Sequence, residues 1–208
     1  MKKIRFLLIV IFGSVVFCSS AKDRFVMAQI IMDNNDTVVN PVRFENLFDF
    51  QKKIEMLNDD GKLQTVEPNE AKGFCVIADL KDTLHFETVC GLKLSLSENA
   101  DANCFFLLRK CSGKFPVYYF VQSEMVSAGY AMQSVCKPSY VSRYKDNWVL
   151  FGENNFVNQL LKFLKPLKKD KSPDIVKKLT KLEDDIFYRT YLFDDIPSVF
   201  NRLNDLLK

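Results

Sequence analysis

The strongest constraint on the fold is a change of hydrophobic period at Asn154. Before it, apolar β-formers stand in short runs separated by turn residues. After it, apolar residues recur at the spacing of a helix face. Phe156, Val157, Leu160, Leu161, Leu164 and Leu167 form one stripe, with Asn154 or Asn155 placed to cap it. Pro166 should end or kink that helix, because it lacks an amide donor and crowds the preceding turn. Ser172-Pro173-Asp174 predicts a second helix start, and Ile175, Val176, Leu179, Leu182 and Ile186 supply its apolar face. A last helix is expected from Ile196, with Val199, Phe200, Leu203, Leu206 and Leu207 on one side and Asp194 or Asp195 favouring its start.

Upstream, the signals are those of hairpins. Arg24–Met32 and Thr37–Phe44 read as strands joined by Asp33-Asn34-Asn35-Asp36, residues that tolerate tight-turn angles. Pro41 predicts an edge or bulged position for the second of these strands. Phe50–Leu57 and Lys62–Val66 flank Asn58-Asp59-Asp60-Gly61; Phe74–Ala78 and Leu84–Leu96 flank Asp79–Asp82. Asn103–Lys110 and Phe115–Gln122 hold the densest apolar β-formers, with Ser112-Gly113 as a tight turn. Apolar residues on both faces of these two strands call for a second layer, which the C-terminal helices can supply. Tyr140–Phe151 reads as one last strand. The expected class is α+β: an antiparallel β-sheet of hairpins or a meander, with a C-terminal helical segment packed on it. The corresponding division is 1–21 leader, 22–152 mainly β and 153–208 helical, the last two within one domain.

The leader reading rests on three cations, Lys2, Lys3 and Arg5, followed by an apolar run from Phe6 to Phe17. Twelve helical residues span roughly 18 Å, short of a hydrocarbon core of about 30 Å, which is the pattern of a secretory signal peptide. Ser19 and Ala21 suit cleavage after Ala21; the rival is lipidation of Cys18, for which bulky Phe17 is a poor lead-in. Removing the three leader cations from a net charge of +3 leaves 26 basic against 26 acidic side chains, so no global charge argues for a nucleic-acid partner.

Six cysteines leave five after the leader, an odd number. Cys104 and Cys111 on one strand would stand roughly 23 Å apart, too far to bond. A hairpin around Lys81–Leu84 makes Cys75 and Cys90 the candidate disulfide, against the alternative that they are small buried hydrophobes. His85 is the only histidine, which excludes two-histidine metal sites within one chain. A Cys–His nucleophile would need His85 beside Cys75, Cys90 or another thiol; its strand position reads instead as ordinary and half exposed. Asp59-Asp60, Asp184-Asp185 and Asp194-Asp195 read as turn and cap acids, and no calcium-loop spacing surrounds them.

Lys162, Lys165, Lys168, Lys169, Lys171, Lys177, Lys178 and Lys181 form a basic run followed by an acidic one. The first seven are the candidate contact for an anionic surface, against the plainer reading as a solvated helix side. Tyr118, Tyr119, Tyr130, Tyr140, Tyr144 and Trp148 are candidates to line a ligand groove.

The early hairpin at Asp33–Asp36, the segment Pro68-Asn69-Glu70-Ala71-Lys72-Gly73-Phe74, the strand Tyr118-Tyr119-Phe120 and the helical end together resemble a broad set of uncharacterised exported proteins of Bacteroidetes-type bacteria. The hairpin departs from that pattern in lacking a glycine-rich turn. The resemblance implies export and an envelope setting, and no activity, cofactor or catalytic residue. The leading expectation is therefore a non-enzymatic binding or structural module of the envelope, whose partner is a protein or another envelope component. The alternatives are a thiol or acid–base hydrolase-like enzyme, and a membrane-surface protein or lipoprotein. A groove holding His85 next to a thiol and a carboxylate would favour the enzyme. An exposed apolar strip with His85 isolated would favour the module.

Overall fold

The computed structural model describes residues 24–44, 47–79, 82–92, 103–128, 131–188 and 192–208. The leader with Cys18, Tyr130 and the 93–96 end of one expected strand lie outside the described residues. The strands are β1 (Phe25–Met32), β2 (Thr37–Arg43), β3 (Ile54–Leu57), β4 (Leu63–Val66), β5 (Ala71–Asp79), β6 (Asp82–Cys90), β7 (Cys104–Cys111), β8 (Val117–Ala128), β9 (Ala131–Tyr144) and β10 (Asn147–Gly152). They form one antiparallel sheet in the order β10-β9-β8-β7-β6-β5-β1-β2-β3-β4. The helices are α1 (Leu47–Phe50), α2 (Phe156–Leu164), α3 (Pro173–Tyr188) and α4 (Ile196–Leu206), with a 3₁₀ turn over Lys165–Lys168. The class is the expected α+β, with the helices at the C-terminal end packed on the sheet.

Turn chemistry sets the register. Asn35 takes a left-handed backbone (φ 69°), and Asn34 Oδ1 accepts the Asp36 amide at 2.9 Å, closing the β1–β2 hairpin. Asn58 Oδ1 accepts two amides, from Asp60 and Lys62, and Gly61 has φ 73°. From these turns a single row of side chains follows across eight strands: Val38, Ile30, Phe74, Phe86, Leu108, Tyr119, Tyr140 and Phe151. This row defines the helix face. Its β10–β8 part, Phe151, Tyr140 and Tyr119, packs on Leu160, Phe163, Leu179, Leu182, Phe200 and Leu203 of the C-terminal helices. Ile30, Phe74, Phe86 and Leu108 of the row pack with Phe50 of α1, around the stacked rings of Phe74 and Phe86 at 4.4 Å. Each such buried side chain contributes about 1.5–3 kcal/mol.

Between these halves the sheet splits. The ladder between β7 and β8 runs from the Leu108–Tyr119 pair to Cys111–Val117, and from Phe106 on the two strands part. Gln51, 4% exposed, fills the gap. Its carbonyl accepts the Phe106 amide at 3.0 Å, and its side chain both donates to and accepts from the backbone of Val121. A buried amide is tolerated here because its polar groups meet these partners.

The opposite face is asymmetric. Over β6–β10 it encloses Val89, Leu107, Tyr118, Phe120 and Val141. Trp148 on β10 donates its indole N–H to the Cys90 carbonyl on β6 at 3.0 Å, although the two strands are four places apart. In a flat sheet that separation would be about 19 Å, so this half curls over itself. Over β1, β2 and β5 the same face is open, with Met27, Val39 and Ile77 43%, 55% and 49% exposed.

Several expectations are corrected. The disulfide is Cys90–Cys104, not Cys75–Cys90. Antiparallel register sets His85 opposite Cys75 and sets Cys104 on β7 opposite Cys90, with Cα atoms 4.0 Å apart. Tyr140–Phe151 is two strands rather than one, turned at Lys145, which takes φ 54°. Phe50–Leu57 begins as the end of α1 and becomes strand only at Ile54. Pro41 is on an inner strand; it is tolerated because the β2–β3 ladder is a single pair, Val42–Met56, beside it.

Candidate functional site

Where the curled half of the sheet meets the C-terminal segment, a cleft of about 730 Å³ opens. That volume falls within the range of about 300–1,000 Å³ found for ligand pockets. Phe115, Tyr118, Tyr144 and Trp148 form one wall, and Pro166, Leu167 and Leu207 form the other. The walls are positioned by the fold rather than by the loops themselves. Phe115 and Tyr118 are buried in separate core clusters, and Asn204 of α4 clamps the β7–β8 turn. The Asn204 side chain accepts the Phe115 amide at 2.8 Å and donates to the Ser112 and Phe115 carbonyls.

Three regions deliver five cations to the mouth: Lys114 from the β7–β8 connection, Arg143 from the end of β9 with Lys145 from the turn after it, and Lys169 and Lys171 from the segment before α3. Among the described residues, no carboxylate lines the cleft. Arg143 lies over the Trp148 ring, 5.6 Å from its centroid, and pairs loosely with the 97%-exposed Asp146 at 3.7 Å. Among the described residues, none of the ion pairs involves Lys114, Lys145, Lys169 or Lys171. Like charges gathered without a counter-ion raise the local potential and draw an anion. Tyr118 donates its hydroxyl to Glu87 at 2.6 Å, and Arg109 pairs with the same carboxylate. Burial, with that carboxylate beside it, pushes the Tyr118 phenol far above its usual range. Tyr118 therefore stays neutral and acts as wall.

A second depression, of about 360 Å³, lies on the same face where the open half meets β6 and β7. Cys75 Sγ and His85 Nδ1 are 3.0 Å apart there, with Lys72, Glu87 and Arg109 around them. Burial pushes the Cys75 thiol up. His85 is thus beside a thiol and not isolated, while the neighbouring carboxylate of Glu87 is already bonded to Arg109 and Tyr118. The exposed apolar strip of Met27, Val39 and Ile77 is present as well. Both observations set out as discriminating therefore occur in part, on one face.

The other sequence candidates are dispersed. Of the lysine run, Lys169 and Lys171 reach the cleft, Lys168 pairs with Glu183, and Lys162, Lys165, Lys177 and Lys178 are exposed elsewhere. Of the aromatic set, Tyr118, Tyr144 and Trp148 line the cleft; Tyr119 and Tyr140 belong to the core beneath the helices. Asp59-Asp60 is a turn and Asp195 Oδ2 caps the Leu192 amide, but Asp185 sits within α3 and pairs with Arg202. Lys114, Arg143 and Lys145 were not singled out from the sequence. The available signal was the close interleaving of Arg143, Tyr144, Lys145 and Trp148. Comparison of the chain with family models, with curated proteins and with solved structures returned no match.

Proposed function

We propose that the chain is an exported, non-enzymatic binding module of the bacterial cell envelope that holds an anionic ligand in the cleft. The observation that supports this is the set of five cations over aromatic and apolar walls, with no carboxylate in that lining among the described residues. Such a lining selects a ligand with an apolar or planar body and an acidic group, since the walls bury the one and the mouth neutralises the other. Export rests on the basic, apolar and small-residue order of positions 1–21.

The test uses 8-anilinonaphthalene-1-sulfonate, a planar apolar anion, as the probe. One-site fluorescence binding is expected, weakened about ten-fold by the double substitution Lys169→Ala/Lys171→Ala and by high salt. Binding indifferent to both would overturn the reading. Vesicles of anionic phospholipid provide the contrast. Retention by the full chain that depends on Lys162, Lys177 and Lys178 but not on Lys169 and Lys171 would move the contact from the cleft to the helix surface. Intact mass of the protein recovered from envelope fractions tests export. A chain starting at residue 22 supports it, a diacylglycerol on Cys18 supports the lipoprotein form, and unprocessed protein in the cytosol opposes both.

A further inference from the structure

The cleft leaves the Cys75–His85 pair without a role. The two residues are directly opposed on β5 and β6, in the register that also sets Gln29 of β1 against Cys75. Direct opposition on one sheet face fixes both side chains without help from a loop. The distance between them discriminates between uses. Two ligands of one zinc ion, at ordinary bond lengths and a tetrahedral angle, stand about 3.5 Å apart. The observed 3.0 Å is that of a hydrogen bond. Burial favours the protonated thiol, and in the tautomer with the ring proton on Nε2 its Sγ–H donates to Nδ1. His85 itself is exposed, so a proton taken at Nδ1 leaves an imidazolium in contact with water. The groove around the pair is large enough for a small molecule. The charged groups facing it are Lys72 on β5, Glu87 on β6 and Arg109 on β7, while β1 offers only uncharged Gln29 and Ile31.

We propose that Cys75 and His85 form a thiol–imidazole site for exchange with small disulfides bearing an acidic group. Nδ1 of His85 takes the thiol proton as Sγ attacks one sulfur of the disulfide. The Sγ–S bond forms, the disulfide bond breaks, and the imidazolium passes its proton to the departing thiolate or, where that thiolate is weakly basic, to water. The products are Cys75 in mixed disulfide and one released thiol, so no further oxidant is needed. The excess of Lys72 and Arg109 over Glu87 selects the acidic disulfide. The exchange is stoichiometric and independent of the cleft, and it stands whether or not the cleft binds an anion.

The probe is 5,5′-dithiobis(2-nitrobenzoate), an aromatic disulfide with two carboxylates whose released thiolate is coloured. The protein carries its own comparators, since Cys136 is an exposed free thiol and Cys111 is a buried one. With Cys136→Ser, one equivalent should be released near pH 6.5 about ten-fold faster than from the chain carrying Cys75→Ser, in which Cys136 reacts. His85→Gln should remove that advantage and leave the steeper pH dependence of an unassisted thiol. Neutral hydroxyethyl disulfide should show a smaller preference for Cys75. Mass mapping identifies the modified cysteine, and denaturant midpoints equal to those of the unsubstituted chain establish that His85→Gln folds. Cys75 reacting no faster than Cys136, or at an unchanged rate in folded His85→Gln, would overturn the proposal.

Discussion

One face of one sheet behaves in two ways. From β6 to β10 it curls until Trp148 reaches the Cys90 carbonyl, and the Cys90–Cys104 bridge locks the strands at that end. Over β1, β2 and β5 it faces solvent, with Val39 more than half exposed. In the curled half the pocket is made by connections that converge around the fold, so its chemistry is a collected charge. In the open half the groove is made within the sheet, so its chemistry is a cross-strand pair. Curvature gathers residues distant in sequence, whereas register pairs residues face to face.

The largest expected effect breaks the curled half directly. Cys90→Ser/Cys104→Ser, closing a loop with a sequence separation of 14, should lower unfolding free energy by about 3 kcal/mol, read by denaturant titration without reductant. Cys75→Ser on the open half should change it by less than about 1 kcal/mol. A comparable loss from both would erase the distinction between the halves.

Next is the clamp beneath the cleft. Asn204→Ala strands the Phe115 amide and two carbonyls and should cost about 1–3 kcal/mol, with His85→Ala, exposed on β6 beside the open half, near zero. Gly113→Ala belongs with it: at φ 124° an added Cβ would come within 2.7 Å of Asn204 Cγ, so it too should destabilise in the same assay.

A smaller effect sharpens the comparison through pH. Tyr118, Tyr119 and Tyr140 all have phenols raised by burial. A raised folded value means that their contribution is fully present below the unfolded value of about 10 and is lost as pH rises beyond it. Denaturant midpoints should fall above about pH 10, and less steeply in Tyr118→Phe. The smallest effect lies on the open half. Lys53, by hydrogen bond, and Arg43 hold the Glu55 carboxyl below its ordinary value against the opposing pull of burial. Its contribution is present above the unfolded carboxyl value and lost as pH falls, and Glu55→Gln should flatten that acid limb by under about 1 kcal/mol.

Much of this architecture was legible in the chain. The switch of period at Asn154, the Ser172-Pro173 start and the Asn34-Asn35 turn are local signals, and the elements they announce are found; β7 and β8 are joined where Ser112-Gly113 indicated, through five residues rather than a tight turn. The strand-length reading of Cys104 and Cys111 was also sound, since both lie on β7. What failed was anything that depends on which strand lies beside which. The expected strand Leu84–Leu96 ran on past Cys90, where β6 ends, so the opposition of Cys90 to Cys104 was not read, and the nearer hairpin drew attention to Cys75 instead. The Lys145 turn was hidden because Lys and Asp carry a weaker turn signal than Asn-Gly.

By itself the sequence determined the elements, their class and the turns between neighbours, because backbone preference and hydrophobic period act over a few residues. It also set the inventory of chemistry, with one histidine and six cysteines. Tertiary structure alone decided that Lys114, Arg143, Lys145, Lys169 and Lys171 share a mouth, that Cys90 bonds Cys104 and that Cys75 meets His85. Those outcomes depend on sheet order, register and curl, which are settled by how the Phe-rich row on one face packs against helices drawn from the far end of the chain.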